Sequence, residues 1–356
     1  MPDNNENGLL DSMRSRLRQE KERLAVARGK DLKVVGYFCP YFPEELVLSA
    51  GMLPVRLEVG GGEYPALDGV CLTGKCEGME EPEERFNVPV FKLNLPPADR
   101  YRNDHNARGV LEKELRGLRK SLEGLSGRFI TYLDDIRAII LCNQIREKLR
   151  RLYEYPADDR SPLEWRQVFE ITQAGGVMGR RAFLEELAKI EKALGARKAS
   201  GVAVDSRIRL MITGSCMSGI ERLNEIINKA GGIIVADYAC PAGMLLRKKV
   251  PVFGIAERPL ESLSERYLYN APCECRGDTR GRLDHMIRIA KNYRVHGLLY
   301  YNPGNLDALR EDYKLVDNAF YRELSVPAFL VNGSDLEAEN TQAKIKEFID
   351  IIGGRV

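Results

Sequence analysis

No stretch of the 356-residue chain approaches the ~18 consecutive apolar residues that a membrane-spanning helix needs. The opening segment, MPDNNENGLL, lacks the basic flank and apolar core of a secretory signal, so a cytoplasmic protein is expected. Neither sign of charge is in excess: 54 Lys plus Arg against 52 Asp plus Glu leave a formal net charge of +2. So small a net charge creates no field that would draw in nucleic acid or an anionic membrane, and neither is expected as a partner. Histidine is scarce, with three in the chain, which favours a thiolate-rich site over a mixed Cys/His zinc site. The eight cysteines also lack zinc-ribbon spacing, because CLTGKC and CEC have no matching second pair. Disulfides are not expected in a reducing compartment. The Gly-Lys-Ser/Thr ending of a Walker A loop is missing too.

What is present is a chain of two-domain length with strands alternating with helical patterns. Residues 1–30 read as a charged helical arm with Leu10, Met13, Leu17 and Leu24 near helical spacing. KVVGYF follows as a strand. PEELVLSAGM then reads as a helix with Pro43 at its first turn and Gly51 at its end. LPVRLEV, LDGVCLT and VPVFKLNLP read as further strands, and residues 101–194 as helical almost throughout. The polar segment Arg197 to Arg207 separates this from a second series: strand RLMITG, helix SGIERLNEIINKAGG and strand IIVAD. A linking PVFGIAERPLESLSERYL leads to helix GRLDHMIRIAKNY, strands VHGLLYY and VPAFLVNG, and a terminal helix. Alternation of this kind predicts an α/β protein: two Rossmann-like (flavodoxin-like) domains with parallel sheets, over residues 31–196 and 207–356, with a helical insert and an N-terminal arm. A weak echo relates LDGVCLTGKCEG plus FNVPVFKLNLP to VHGLLYYNPGNL plus LSVPAFLVNGS, as a duplication would.

In open parallel sheets, ligands sit beyond the carboxyl ends of the strands. Four cysteines fall there: Cys39, Cys76, Cys216 and Cys240. Each alone reads as a small residue in a loop. Together they suit zinc or an iron–sulfur cluster, which is held by about four thiolates. Cys71 and Cys142 read as core, and CEC (Cys273, Cys275) lies in a loop. The strand-to-helix loop TGSCMSG puts Gly214, Ser215 and Ser218 where backbone amides and hydroxyls can cradle a phosphate, although a helix cap calls for the same residues. Glu44 and Glu45 open their helix, where the macrodipole favours carboxylates by about 0.3–1 kcal/mol. The alternative is that one of them faces the crevice beside Cys39 and exchanges protons with a substrate.

GYFCPYFPEELVLSAGMLPVRL, LDGVCLTGKCEG, ITGSCMSGIERL, GGIIVADYACPAG, APCECRG and the closing VPAFLVNG…TQAKIKEFIDII, in this order over residues 32–353, together resemble the 2-hydroxyacyl-CoA dehydratase and benzoyl-CoA reductase family, in its D-component-like subunits. The resemblance implies two Rossmann-like domains around a [4Fe–4S] cluster, a homologous partner subunit, a separate ATP-hydrolysing activator that delivers one low-potential electron, and an acyl-CoA substrate. It also implies three cluster cysteines per subunit. The one after LDGV matches Cys76. The gap that should carry the first reads EVGGGEYPA, and Leu306 stands about where the last should be.

Two expectations follow. In one, Cys76 is joined by Cys39, Cys216 or Cys240 in a remodelled site, and the subunit acts in a dehydratase-type lyase or a CoA-ester reductase, with Glu44 or Glu45 handling protons. In the other, the chain is a cluster-free, noncatalytic subunit that completes a heterodimer. A structural zinc protein is a third reading, predicting stoichiometric zinc and loss of stability to a chelator.

Overall fold

The computed structural model describes residues 7–25, 32–58, 66–73, 83–96, 106–199, 205–214, 217, 219–239, 248–251, 258–270, 272–273, 277–302 and 307–354. The chain forms two compact units: residues 1–149, 171–193 and 245–278 in the first, and 150–170, 194–244 and 279–356 in the second. Each contains one four-stranded parallel sheet, so the protein is α/β with two Rossmann-like sheets. Among the described residues no helix is long and apolar enough to cross a membrane.

In the first unit the strands are β1 (Val34–Tyr37), β2 (Leu53–Arg56), β3 (Gly69–Leu72) and β4 (Val90–Lys92), in the order β2-β1-β3-β4. Val34 to Tyr37 are all buried, the pattern of a parallel strand covered on both faces. Val34, Phe38, Leu53, Val55, Leu57, Leu67 and Val70 pack into one core with Leu24 of helix α1 (Asp11–Ala25). Helix α2 (Glu44–Ser49) connects β1 to β2. It starts one residue later than the sequence suggests, with Pro43 at the capping position. Helix α3 (Ala107–Ser126) buries Leu111, Leu115, Leu118 and Leu122, a stripe at helical spacing, and stops at Gly127, whose φ of 69° is left-handed. Helices α4 (Tyr132–Glu154), α5 (Trp165–Val177) and α6 (Arg180–Ala199) follow.

The second unit repeats the plan. Its strands β5 (Ile208–Gly214), β6 (Gly232–Ala239), β7 (Gly297–Asn302) and β8 (Ala328–Asn332) lie in the order β6-β5-β7-β8, the same arrangement of first, second, third and fourth strand. The echoed segments LDGVCLT/VPVFKLNLP and VHGLLYY/VPAFLVNG therefore occupy equivalent third and fourth places. Leu210, Ile212, Leu299 and Val331 from the sheet meet Ile220, Leu223 and Ile227 of helix α7 (Ile220–Lys229), together with Trp165, to form the core.

Two helices depart from the sequence reading. The supposed link PVFGIAERPLESLSERYL contains helix α8 (Pro259–Leu268), which packs on α3. Its signal was present in Pro259 at the first turn and in Leu260, Leu263 and Tyr267 at helical spacing. A helix α10 (Asp307–Leu324) lies between β7 and β8, after helix α9 (Thr279–Asn292). Val316, Ala319 and Phe320 form its buried face, but Leu315 and Tyr321 are exposed, which blurs the amphipathic pattern that would have announced it.

Candidate functional site

The segment that ends β1 is built to turn. Pro40 occupies the second position of a turn closed by the Phe42 N–H donating to the Cys39 carbonyl at 2.9 Å, the place where its fixed φ suits a tight turn. This reverses the chain so that α2 begins beside the residue that ended the strand. The Tyr37 hydroxyl donates to Glu44 Oε2 at 3.1 Å, and the Tyr37 and Phe42 rings lie 5.0 Å apart. Tyr37 in turn sits opposite Arg56 across the β1/β2 pairing, at the carboxyl edge where the parallel fold leaves room for a ligand.

A pocket opens there, enclosing about 500 Å³ of empty space including its mouth and lined by Tyr37, Pro40, Phe42, Glu44, Arg56, Ile145, Arg146, Leu149, Thr172, Gly175, Gly176, Arg180, Phe183, Arg266 and Tyr267. All belong to the first unit. Arg180, at the start of α6, grips Glu44 with Nε at 2.9 Å and Nη2 at 2.5 Å from the same carboxylate oxygen. It is held in place by donating Nη1–H to the Met178 carbonyl at 2.8 Å. Glu45, fully buried, takes the charge of Arg146 on α4 at 2.6 Å and a hydrogen bond from the Tyr267 hydroxyl on α8 at 2.8 Å. The two carboxylates that look like helix-dipole residues in the sequence are thus each matched to a buried arginine from another helix and to a tyrosine, Tyr37 of β1 for Glu44 and Tyr267 of α8 for Glu45. Arg266 adds another guanidinium to the wall, lying 4.3 Å from the Tyr267 ring centre and donating Nε–H to the Lys248 carbonyl at 2.9 Å.

Burial by itself would raise the Glu44 carboxyl, but the charge of Arg180, supported by Arg146 and by hydrogen bonds from Arg180 and Tyr37, brings it down to about 2. Tyr37 moves the other way, because burial and then the Glu44 carboxylate push its phenol up. Glu44 is therefore ionised throughout the physiological range and fitted to accept hydrogen bonds. Its stabilising contribution is complete above the ordinary value of 4.5 and is lost as pH falls toward about 2. Roughly 3 kcal/mol of stability should disappear over that acid window. Urea midpoints measured as a function of pH should show the loss in the wild type and lack it in Glu44→Gln.

Two helical glycines shape the pocket wall. A Cβ on Gly175 would lie 2.5 Å from the Phe183 ring, and one on Gly176 would lie 3.1 Å from the Arg56 guanidinium carbon. Their absence lets both side chains lie against α5. Arg56 itself donates to the Gln173 side-chain oxygen.

Of the other residues singled out in the sequence, Cys39 is half-buried at the end of β1, next to Pro40 of the pocket. Cys71 and Cys142 are buried in the core, as the sequence reading has them, and burial pushes both thiols up. Gly214 ends β5 in the second unit with φ of 139°, pressed against the Tyr301 backbone. Ser215, Ser218, Cys76, Cys216 and Cys240 lie outside the described residues. Among the described residues no three His, Cys, Asp or Glu side chains are grouped as for a metal ion, and of the candidate cysteines Cys39 is the one described at a strand end. Sequence reasoning missed Arg56, Arg146, Arg180 and Tyr267. The available signal was the Gly175-Gly176 pair inside a helical pattern, which commonly marks a packing or functional requirement.

A family profile described as 2-hydroxyglutaryl-CoA dehydratase, D-component, matches residues 61–352. The chain is 22% identical over 343 residues to the (R)-phenyllactyl-CoA dehydratase beta subunit of Clostridium sporogenes, covering 86% of this chain and 88% of that one. It is also 22% identical over 308 residues to a protein of Escherichia coli named as a dehydratase subunit, YjiM, covering 76% of this chain and 78% of the other. A solved structure of a GTP-binding protein from Sulfolobus solfataricus in complex with GDP covers 90% of this chain and 100% of its own at 11% identity, with a TM-score of 0.26, too low to carry an argument. With the profile spanning β3 and β4 of the first sheet, all four strands of the second and the helices from α3 onward, the chain belongs to the 2-hydroxyglutaryl-CoA dehydratase D-component family.

Proposed function

We propose that the chain is one subunit of a dehydratase complex that acts on a 2-hydroxyacyl-CoA thioester in the cytoplasm, beside a homologous subunit and served by an ATP-dependent activator. The observation that carries this reading is the family match over residues 61–352, and the names of the two relatives point the same way. The pocket at the carboxyl edge of β1 and β2 supports it, because its arginines suit an anionic substrate. Glu44 on the lining and the fully buried Glu45 hold Arg180, Arg146 and the two tyrosines in position. Phe42, Leu149 and Phe183 give the lining an apolar part.

A [4Fe–4S] cluster, when bound, would supply a single electron to the thioester. The described residues contribute Cys39 as a thiol at a strand end, which alone does not make its ligand set. A cluster on this chain would be held by Cys76 with Cys39, Cys216 and Cys240. Iron and acid-labile sulfide are to be measured on protein purified without oxygen, with EPR of the dithionite-reduced form. The expected result is about four of each per chain or per pair, abolished by Cys76→Ala. Iron-free protein would sink the cluster on this chain.

A second reading is favoured by one specific observation: the segment EVGGGEYPA and position Leu306 carry no cysteine where the family pattern has one. On that reading the chain is a cluster-free subunit completing a heterodimer. It would copurify with an iron-bearing homologous chain while holding no iron itself.

A further inference from the structure

Charge and hydrogen bonding around the pocket do not cancel evenly. Glu44 is matched to Arg180, and Glu45 to Arg146. Arg56 lines the same pocket, and among the described residues its hydrogen-bond partner is the uncharged Gln173 side chain. Arg146, 3% exposed, also lines the pocket, and its Nε has no hydrogen-bond partner among the described residues. Arg56, half-buried and bonded to a neutral amide, therefore keeps an unneutralised charge on the pocket wall that an ionised oxygen ligand would match. The charged side chains on the lining are four arginines, at positions 56, 146, 180 and 266, and one carboxylate, Glu44.

The way Arg56 is seated argues that its placement is built. It stands at the end of β2, opposite Tyr37, and its guanidinium lies against the backbone of α5 at Gly176, where a Cβ would come within 3.1 Å of the guanidinium carbon and of Nη2. Gln173, one turn earlier on the same helix, takes one of its N–H groups. A planar fork fixed at one edge in this way keeps its remaining donors for a second planar or tetrahedral acceptor. Phe42, Ile145, Leu149 and Phe183 make up the apolar part of the lining.

From this geometry we infer that the pocket binds an oxyanion group, a carboxylate or a phosphate, carried on an apolar body, with Arg56 as the residue that receives it. The inference rests on the reading that this pocket is the functional site. It requires neither a cluster nor turnover, so its test and the iron assay fail independently.

Isothermal titration of the full chain with hexanoate, hexyl phosphate and hexanamide separates charge from shape. At least one of the two anions should bind at least tenfold more tightly than the neutral amide, and which one binds identifies the group. Arg56→Gln should weaken the preferred anion at least tenfold, Arg56→Lys less, and Gly176→Ala several-fold through the displaced guanidinium. Far-UV circular dichroism and melting confirm that each variant is folded. Hexanamide binding as tightly as both anions, no binding of either anion at tens of millimolar, or a folded Arg56→Gln with full affinity would each overturn the proposal. If Arg56→Gln does not fold, the comparison of the three ligands on the wild type still decides.

Discussion

Replacing Arg180 by methionine should destabilise the protein by about 3–5 kcal/mol, the range for removing one partner of a buried ion pair. The side chains of Arg180 and Glu44 are 3% and 16% exposed, and Arg180 bonds Glu44 Oε2 through both Nε and Nη2. Without the guanidinium, burial is opposed only by the charge of Arg146 and the Tyr37 hydrogen bond, and the carboxyl rises from about 2. The variant's deficit should accordingly be largest near neutral pH and shrink in acid, where the stranded carboxylate takes up a proton and the wild type loses its ion pair. Arg180→Met/Glu44→Gln removes both charges and should recover most of the loss. Urea unfolding of the wild type, both single variants and the double variant gives the coupling energy. A double variant as unstable as Arg180→Met would mean that Arg180 acts through packing and not through Glu44.

Gly214→Ala should be at least as damaging. Gly214 ends β5 at φ of 139° and pairs with Tyr301 of β7. An added Cβ would lie 2.0 Å from the Tyr301 carbonyl oxygen, where backbone on both sides prevents relief by side-chain rotation. The backbone conformation is itself one that L side chains rarely adopt. A loss of roughly 3–5 kcal/mol is expected, read as a lowered urea midpoint or as insoluble expression. Gly117→Ala provides the contrast: it is in the exposed middle of α3 with nothing within 4 Å of an added Cβ. That change should stabilise by about 0.5–1 kcal/mol. Equal effects of the two substitutions would refute the close-approach account. Gly214 thus has a backbone requirement that does not depend on any bound phosphate.

The phosphate-cradle and helix-dipole readings share a reason for being incomplete. Each was drawn from neighbours in sequence, and the forces on Gly214 and Glu44 come from residues far along the chain: Tyr301 for the first, Arg180, 136 positions away, for the second.

What the amino-acid order determined by itself is the alternation of short apolar strands with amphipathic helices, the likeness of the third and fourth strand segments in the two series, and the burial of Cys71 and Cys142, because period and hydrophobicity are local properties that burial translates directly into structure. The family, too, was legible from the order of its motifs. Only the tertiary structure decided that Glu44 and Glu45 face Arg180 and Arg146, that Gly176 makes room for Arg56, and that these side chains close around one pocket. Charge pairing inside a protein depends on distance and on exclusion of water, and neither quantity exists until the helices carrying the arginines have packed against the strand edge.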